Sequence, residues 1–331
     1  MKKSLLVLAV LGAISGVASA QTNVTIFGVV DGGLVVDRGG PAGSVTKLGT
    51  GVWSSNRIGF KGSEDLGGGL SAIFHLENGF NLDTGTLGQG GLLFGRQAWA
   101  GLKGGFGAVT FGRQYTPLSW AQYLTDPFDA GSAGATYNVM QIVDHRRNNT
   151  VRYQANMNGF IVDASYSFGE VAGSFKSGRQ IDGLVGYENG PISAKLGYFT
   201  KTNAANTVDT SKKFLAASYD FKVVKAYLQY IINRDEPSMS TRDSNDVMVG
   251  LTAPIGAGTA RVSYIRRDDK VGNNDASQVA IGYTQPISKR TMLYAVYGQI
   301  SNDGAAAYTV GNSSDGGTGN KQINLGMRHT F

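Results

Sequence analysis

From residue 21 onward, no stretch of this chain reaches the roughly 18 consecutive apolar residues that a membrane-crossing helix needs. Segment after segment instead alternates apolar and polar side chains with a period of two. In the last of these, Ile323, Leu325, Met327 and Phe331 share one face with His329, and Asn324, Gly326, Arg328 and Thr330 the other. The same division separates Val279, Ile281 and Tyr283 from Gln278, Ala280 and Gly282, and Ile192, Ala194, Leu196 and Tyr198 from Ser193, Lys195 and Gly197. Side chains of a strand point alternately to the two sides of a sheet, so each segment presents one apolar and one polar face. If such a chain enters a membrane, it does so as a closed barrel, because lipid tolerates no unpaired strand edge.

The pattern predicts strands at 22–37, 53–65, 70–81, 92–103, 107–115, 148–157, 160–169, 179–189, 191–202, 211–221, 223–234, 244–253, 259–269, 275–285, 291–302 and 320–331, sixteen in all. Their connections alternate between tight and long. Gly104-Gly105-Phe106, Asn158-Gly159 and Asn189-Gly190 are hairpin turns, whereas 38–52, 116–147 and 303–319 are long. All seven prolines lie in or beside connections, as strands that must pair every N–H require. Short turns at one end and long loops at the other are the asymmetry of an outer-membrane barrel. Roughly eight strands leave an interior filled by side chains, whereas 16 to 18 leave an aqueous channel. The expected fold is therefore all-β, a 16-stranded antiparallel transmembrane barrel, with its apolar face outward and its polar face on the lumen.

Composition narrows the chemistry. With no cysteine, disulfide scaffolds, thiolate metal sites and redox dithiols are excluded, and the three histidines, His75, His145 and His329, have no ligand spacing. No Gly-x-Ser-x-Gly elbow and no dinucleotide fingerprint occur, so neither an enzyme nor a cofactor nor a metal is expected. Lys2 and Lys3, the apolar run Leu5 to Leu11 and the small-residue site Ala18-Ser19-Ala20 form a signal peptide over residues 1–20, with the barrel over 21–331. Beyond it, 28 basic residues face 24 acidic ones without any dense run, so nucleic acid is not an expected partner.

The stretches Val24-Thr25-Ile26-Phe27-Gly28-Val29-Val30-Asp31, Ser55-Asn56-Arg57-Ile58-Gly59-Phe60-Lys61-Gly62-Ser63-Glu64-Asp65-Leu66-Gly67-Gly68-Gly69-Leu70 and Gly107-Ala108-Val109-Thr110-Phe111-Gly112-Arg113, with Tyr283, Ser288-Lys289-Arg290-Thr291-Met292-Leu293-Tyr294 and the ending Gly326-Met327-Arg328-His329-Thr330-Phe331, run over nearly the whole chain. Together they resemble the Gram-negative general diffusion porins, in particular the betaproteobacterial trimeric type. The resemblance implies a homotrimer set in outer-membrane lipid and lipopolysaccharide, each barrel narrowed by an inward-folded third loop, here 116–147. It also implies that the C-terminal aromatic Phe331 is a signal for the outer-membrane assembly machinery. Trp120, Tyr123, Leu124, Phe128, Tyr137, Val139, Met140 and Ile142 within 116–147 suit a segment packed inside the barrel better than a solvated outer loop.

Strand parity places Arg57, Lys61, Arg152, Lys195, Lys225, Arg261 and Arg328 on the lumen, against Asp31, Glu77, Asp163 and Asp220. The resemblance implies an arginine ladder at the constriction, matched by local context to Arg57, Arg96 and Arg146, with Arg147 adding a charge and Asp126, Asp129 and Asp144 as opposing acids on the loop. Closely spaced guanidiniums stay charged at any working pH and set a positive field in a narrow passage. The expected function is an outer-membrane porin for small hydrophilic solutes and ions that prefers anions. The alternatives are a channel specific for a sugar or a dicarboxylate, and a secreted ligand-binding barrel.

Overall fold

The computed structural model of the chain describes residues 23–140, 144–235 and 243–331; the expected leader over 1–20, Ile142 and Pro237 lie outside the described residues. The alternating segments form one antiparallel sheet that closes on itself. Strand β1 (Asn23–Gly40) pairs with the last strand, β17 (Lys321–Thr330), from Val29 opposite Thr330 to Arg38 opposite Lys321. On its other side β1 meets two partners in succession. Residues 23–29 pair with β3 (Arg57–Gly67), and residues 32–40 with β2 (Gly43–Thr50). These two pieces share one place in the wall, so seventeen strand segments make sixteen strand positions.

This break corrects two sequence expectations. The stretch 38–52 was expected as a connection and 53–65 as a strand. Instead the chain turns at Pro41-Ala42 between Gly40 and Gly43, pairs back along β1 as β2, and then leaves the sheet over 51–56. A buried carboxylate holds that excursion. Asp31 accepts hydrogen bonds from the Trp53 N–H at 3.2 Å, the Ser54 N–H at 3.1 Å and the Tyr294 hydroxyl at 2.8 Å. A carboxylate that parity placed as a lumen-wall charge is therefore consumed by main chain that the sheet no longer pairs.

The remaining strands follow as hairpins: β4 (Leu70–Gly79), β5 (Gln97–Gly104), β6 (Gly107–Tyr115), β7 (Arg146–Met157), β8 (Phe160–Ser167), β9 (Gln180–Asn189), β10 (Ile192–Thr202), β11 (Asp209–Asp220), β12 (Lys225–Arg234), β13 (Ser244–Ile255), β14 (Gly258–Asp269), β15 (Ala276–Pro286) and β16 (Thr291–Asn302). Strand β5 starts five residues later than the expected 92, because 92–96 stay in the preceding connection. The tight turns, such as Ile255 to Gly258, lie at the end where β1 begins and β17 finishes, and the long connections lie at the other.

Burial is inverted relative to a water-soluble protein. Leu196, Val249, Ile281 and Leu325 are exposed on the outside, while their chain neighbours Lys195, Met248, Ala280 and Asn324 are buried inside. An exposed apolar band this extensive has no stable place in water and suits lipid. No helix among the described residues is long and apolar enough to cross a membrane. Two glycines of the wall, Gly28 and Gly101, are required by packing within the barrel itself. The Phe331 ring fills the space beside Gly28, and a Cβ at Gly101 would stand 2.1 Å from the Val109 carbonyl oxygen.

The third long connection lies against the inward faces of β9 to β17. It opens as a short helix, α1 (Pro117–Leu124), with Pro117 at the first turn, where a missing N–H costs nothing. Its Leu118, Phe128, Ala133, Val139 and Met140 form one apolar cluster with Phe199, Phe214, Ile231, Met248, Ile265, Ala280 and Ile300 of the wall. Inward amides fasten its main chain: Gln229 donates to the Gln122 carbonyl at 3.0 Å, Gln278 to that of Ala135 at 3.2 Å, and Asn324 accepts from the Ala133 N–H at 2.7 Å. Wall glycines make the approach possible, since a Cβ at Gly298 would stand 2.2 Å from the Ala133 carbonyl oxygen and one at Gly282 2.9 Å from Phe128.

Candidate functional site

Because the loop is seated on one side of the barrel, a cavity of about 560 Å³ remains between it and the inner faces of β1 and β3 to β7. Arg57, Arg96, Arg146, Glu77 and Asp129 line it, together with Tyr115, Trp120 and Tyr123. The three arginines come from three interruptions of the wall. Arg57 is the first residue of β3 after the excursion at 51–56, Arg96 precedes β5, and Arg146 opens β7 as the chain returns from the loop.

Tyr115 brings two of them together. Its hydroxyl oxygen accepts from Arg96 Nη2 at 2.6 Å and also from Arg146 Nη2, and the Arg146 guanidinium lies 4.2 Å from the centre of the tyrosine ring. Arg96 further donates from Nε to Glu77 Oε1, while Glu77 Oε2 is 3.0 Å from His75 Nε2. Arg57 donates to the Ser54 hydroxyl at 3.0 Å and forms no ion pair among the described residues; nor does Arg146. The site thus keeps two guanidiniums without a carboxylate beside one that has Glu77.

The loop acids divide sharply. Asp129 faces the cavity, accepts from Trp53 Nε1 at 3.2 Å and stands 3.9 Å from Arg261, whose guanidinium lies 5.0 Å from the Trp53 ring. Burial raises its pKa despite that arginine. Asp126 is buried inside the loop, accepting from the Phe128 N–H at 2.7 Å, the Thr136 N–H at 2.8 Å and the Thr136 hydroxyl at 2.7 Å. Burial nevertheless pushes its pKa up to about 6, outweighing those bonds. Asp144 pairs with Lys201 at 2.6 Å and Arg147 at 3.5 Å, and Arg147 donates to the Gly178 carbonyl at 3.0 Å. Of the seven residues expected at the constriction, the structure therefore gathers Arg57, Arg96, Arg146 and Asp129 around one cavity and places Asp126, Asp144 and Arg147 away from it. The physical reason is shared: each of the three is taken up by groups of its own loop or of the neighbouring rim.

Among the wall residues, Arg152 grips Asp163 with two hydrogen bonds of 2.8 and 2.5 Å and donates to the Tyr115 carbonyl at 2.8 Å. Lys195 pairs with Glu188, Lys225 stands 5.0 Å from the Tyr227 ring and Lys61 5.4 Å from that of Phe27. Arg328 lies opposite Asp31 in register. Asp220, expected on the lumen, is the exposed last residue of β11, where it accepts from the Lys222 N–H at 2.7 Å. His145 Nδ1 is 3.0 Å from the Ser119 hydroxyl; Ser119 is buried, and burial followed by the Arg146 charge lowers the histidine pKa to about 4.

Sequence reasoning missed Tyr115. A β-bulge between Gly112, at φ +128°, and Gln114 shifts the register of β6 against β7, and parity counted along β6 fails beyond it.

A family model described as Gram-negative porin matches residues 7–305. Outer membrane porin protein 32 of Delftia acidovorans is 35% identical, with the alignment covering 100% of both chains. The major outer membrane protein P.IB of Neisseria meningitidis serogroup B is 30% identical, again over 100% of both. The solved anion-selective porin of Comamonas acidovorans superimposes with a TM-score of 0.79 at 32% identity, over 94% of this chain and 100% of that one.

Proposed function

The chain belongs to the Gram-negative porin family and is an outer-membrane channel for the passive diffusion of small hydrophilic solutes and ions; we propose that this channel prefers anions. The observation that carries the preference is the imbalance at the cavity. Glu77 is engaged by Arg96 and Asp129 is approached by Arg261, whereas Arg57 and Arg146 have no carboxylate partner among the described residues. A cation passing there meets unmatched positive charge at close range, where solvent screening is weakest; an anion is drawn in. The solved relative named as anion-selective supports the same sign.

The test is the zero-current potential of the reconstituted wild-type channel in a potassium chloride gradient. A value on the chloride side is expected, and a value on the potassium side overturns the preference.

The same family placement supports a homotrimer, a leader removed before Gln21, and recognition of Phe331 during assembly. Phe331 is well placed for the last role, because its N–H and C=O pair with Gly28 at 3.1 and 3.0 Å and complete the closure of the barrel. The polypeptide acts as a channel rather than as an enzyme: Ser119 and His145, the one hydroxyl–imidazole pair in the loop among the described residues, serve to fasten the loop to its own return.

A further inference from the structure

A run of planar side chains lines the cavity. The Arg146 guanidinium lies over Tyr115, the Tyr115 ring is 5.4 Å from Trp120, and Trp120 stacks on Tyr123 at 5.2 Å with 15° between the planes. The three tryptophans of the chain are not equivalent. Trp53 donates its indole N–H to Asp129 and Trp99 to Gln97, but the indole N–H of Trp120 has no hydrogen-bond partner among the described residues, and Trp120, 38% exposed, is part of the cavity lining. The Tyr123 hydroxyl is likewise without a hydrogen-bond partner there. Beside them stands Arg57, with one donor on Ser54 and no carboxylate, near enough for its charge to act on the Tyr123 hydroxyl.

Building on the anion-preferring reading, we infer that the cavity carries a subsite for aromatic carboxylates, with the solute ring against Trp120 and Tyr123 and its carboxylate on Arg57. An aryl ring gains from an offset or edge-on partner beyond simple burial, and a carboxylate fits a guanidinium with two parallel hydrogen bonds. A volume of about 560 Å³ lies within the range of small-molecule sites. Toward the tight-turn end a second run continues the aromatic surface: Phe27 is 5.3 Å from His75, which stacks on Trp99 at 5.4 Å.

The test compares benzoate with cyclohexanecarboxylate, which has the same charge and nearly the same size but no π-face, as blockers of chloride conductance through the full-length channel in planar bilayers. Benzoate is expected to halve the current at about a two- to tenfold lower concentration. Trp120→Leu should bring that ratio to about one, and Trp120→Phe should keep most of it. A wild-type ratio of one overturns the subsite even if the channel is anion-selective, as does a ratio that survives in Trp120→Leu. The zero-current potential in potassium chloride, measured on the same membranes, separates this failure from failure of the anion preference itself.

Discussion

The inner surface of the barrel has two unlike halves. Strands β10 to β16 turn Phe199, Phe214, Ile231, Met248, Ile265 and Ile300 inward, into the buried apolar cluster they share with the loop. Strands β3 to β7, with the residues that precede and follow them, turn Arg57, Glu77, Arg96, Tyr115 and Arg146 inward, toward the cavity. A lumen that carried polar side chains all round would give the loop nothing to bury, and one that was apolar all round would not pass ions. The division seats the loop to one side and leaves the water path against the charges.

The division between the two halves is lost most completely where the loop is unseated. Gly298→Val would drive a side chain into the Ala133 carbonyl and should displace the middle of the loop. The measurement is liposome swelling with sugars of increasing size, and the size limit should rise. Phe128→Ala should act in the same direction and more weakly, removing a buried aromatic worth about 3–5 kcal/mol. An unchanged size limit in both variants would show that the apolar half does not hold the loop.

Next in size is the tyrosine that joins two like charges. Tyr115→Phe removes an acceptor shared by Arg96 and Arg146, at about 1.5–3 kcal/mol for each hydrogen bond to a charged group. The guanidiniums should separate, so single-channel conductance should become noisier while the sign of selectivity is retained.

The loop also carries two opposed titrations. Asp126, with its pKa raised from 3.8 to about 6, contributes stability that is fully present below pH 3.8 and lost as pH rises through 6. His145, lowered from 6.5 to about 4, contributes stability present above pH 6.5 and lost as pH falls through 4. Each is on the order of 3 kcal/mol, with opposite sign, so docking of the wild-type loop should be nearly flat across this window. In His145→Gln the exchange protection of the Thr136 amide should rise as pH falls from 6.5 to 4; in Asp126→Asn it should fall. Slopes of the same sign would contradict the assignment.

The smallest effect is expected away from the cavity. Lys195→Ser should barely move the zero-current potential at physiological salt, because Lys195 is paired with Glu188 outside the cavity lining and charges are screened within about 8 Å.

What the sequence made legible follows from the period of two. Strand positions, the alternation of tight and long connections and the lipid-facing side all depend on parity and turn chemistry, which are local. Parity failed where pairing is irregular. The excursion at 51–56 exists because Asp31, distant in sequence, supplies the acceptors its main chain needs, and the bulge at Gly112 re-aims Tyr115. The ladder Arg57, Arg96 and Arg146 was reached through family resemblance. Its partners were not, since nothing local distinguishes Asp126, buried among its own loop amides, from Asp129, which faces the cavity.

The charged half of the wall, and not the loop, sets the selectivity in this reading of the cavity. The most direct measurement is the zero-current potential of Arg57→Ser/Arg146→Ser in a low-salt potassium chloride gradient, beside Asp129→Asn. The wall variant should lose the chloride preference or reverse it, while Asp129→Asn should keep or strengthen it. A wall variant that retains the wild-type potential would place the origin of selectivity elsewhere in the channel.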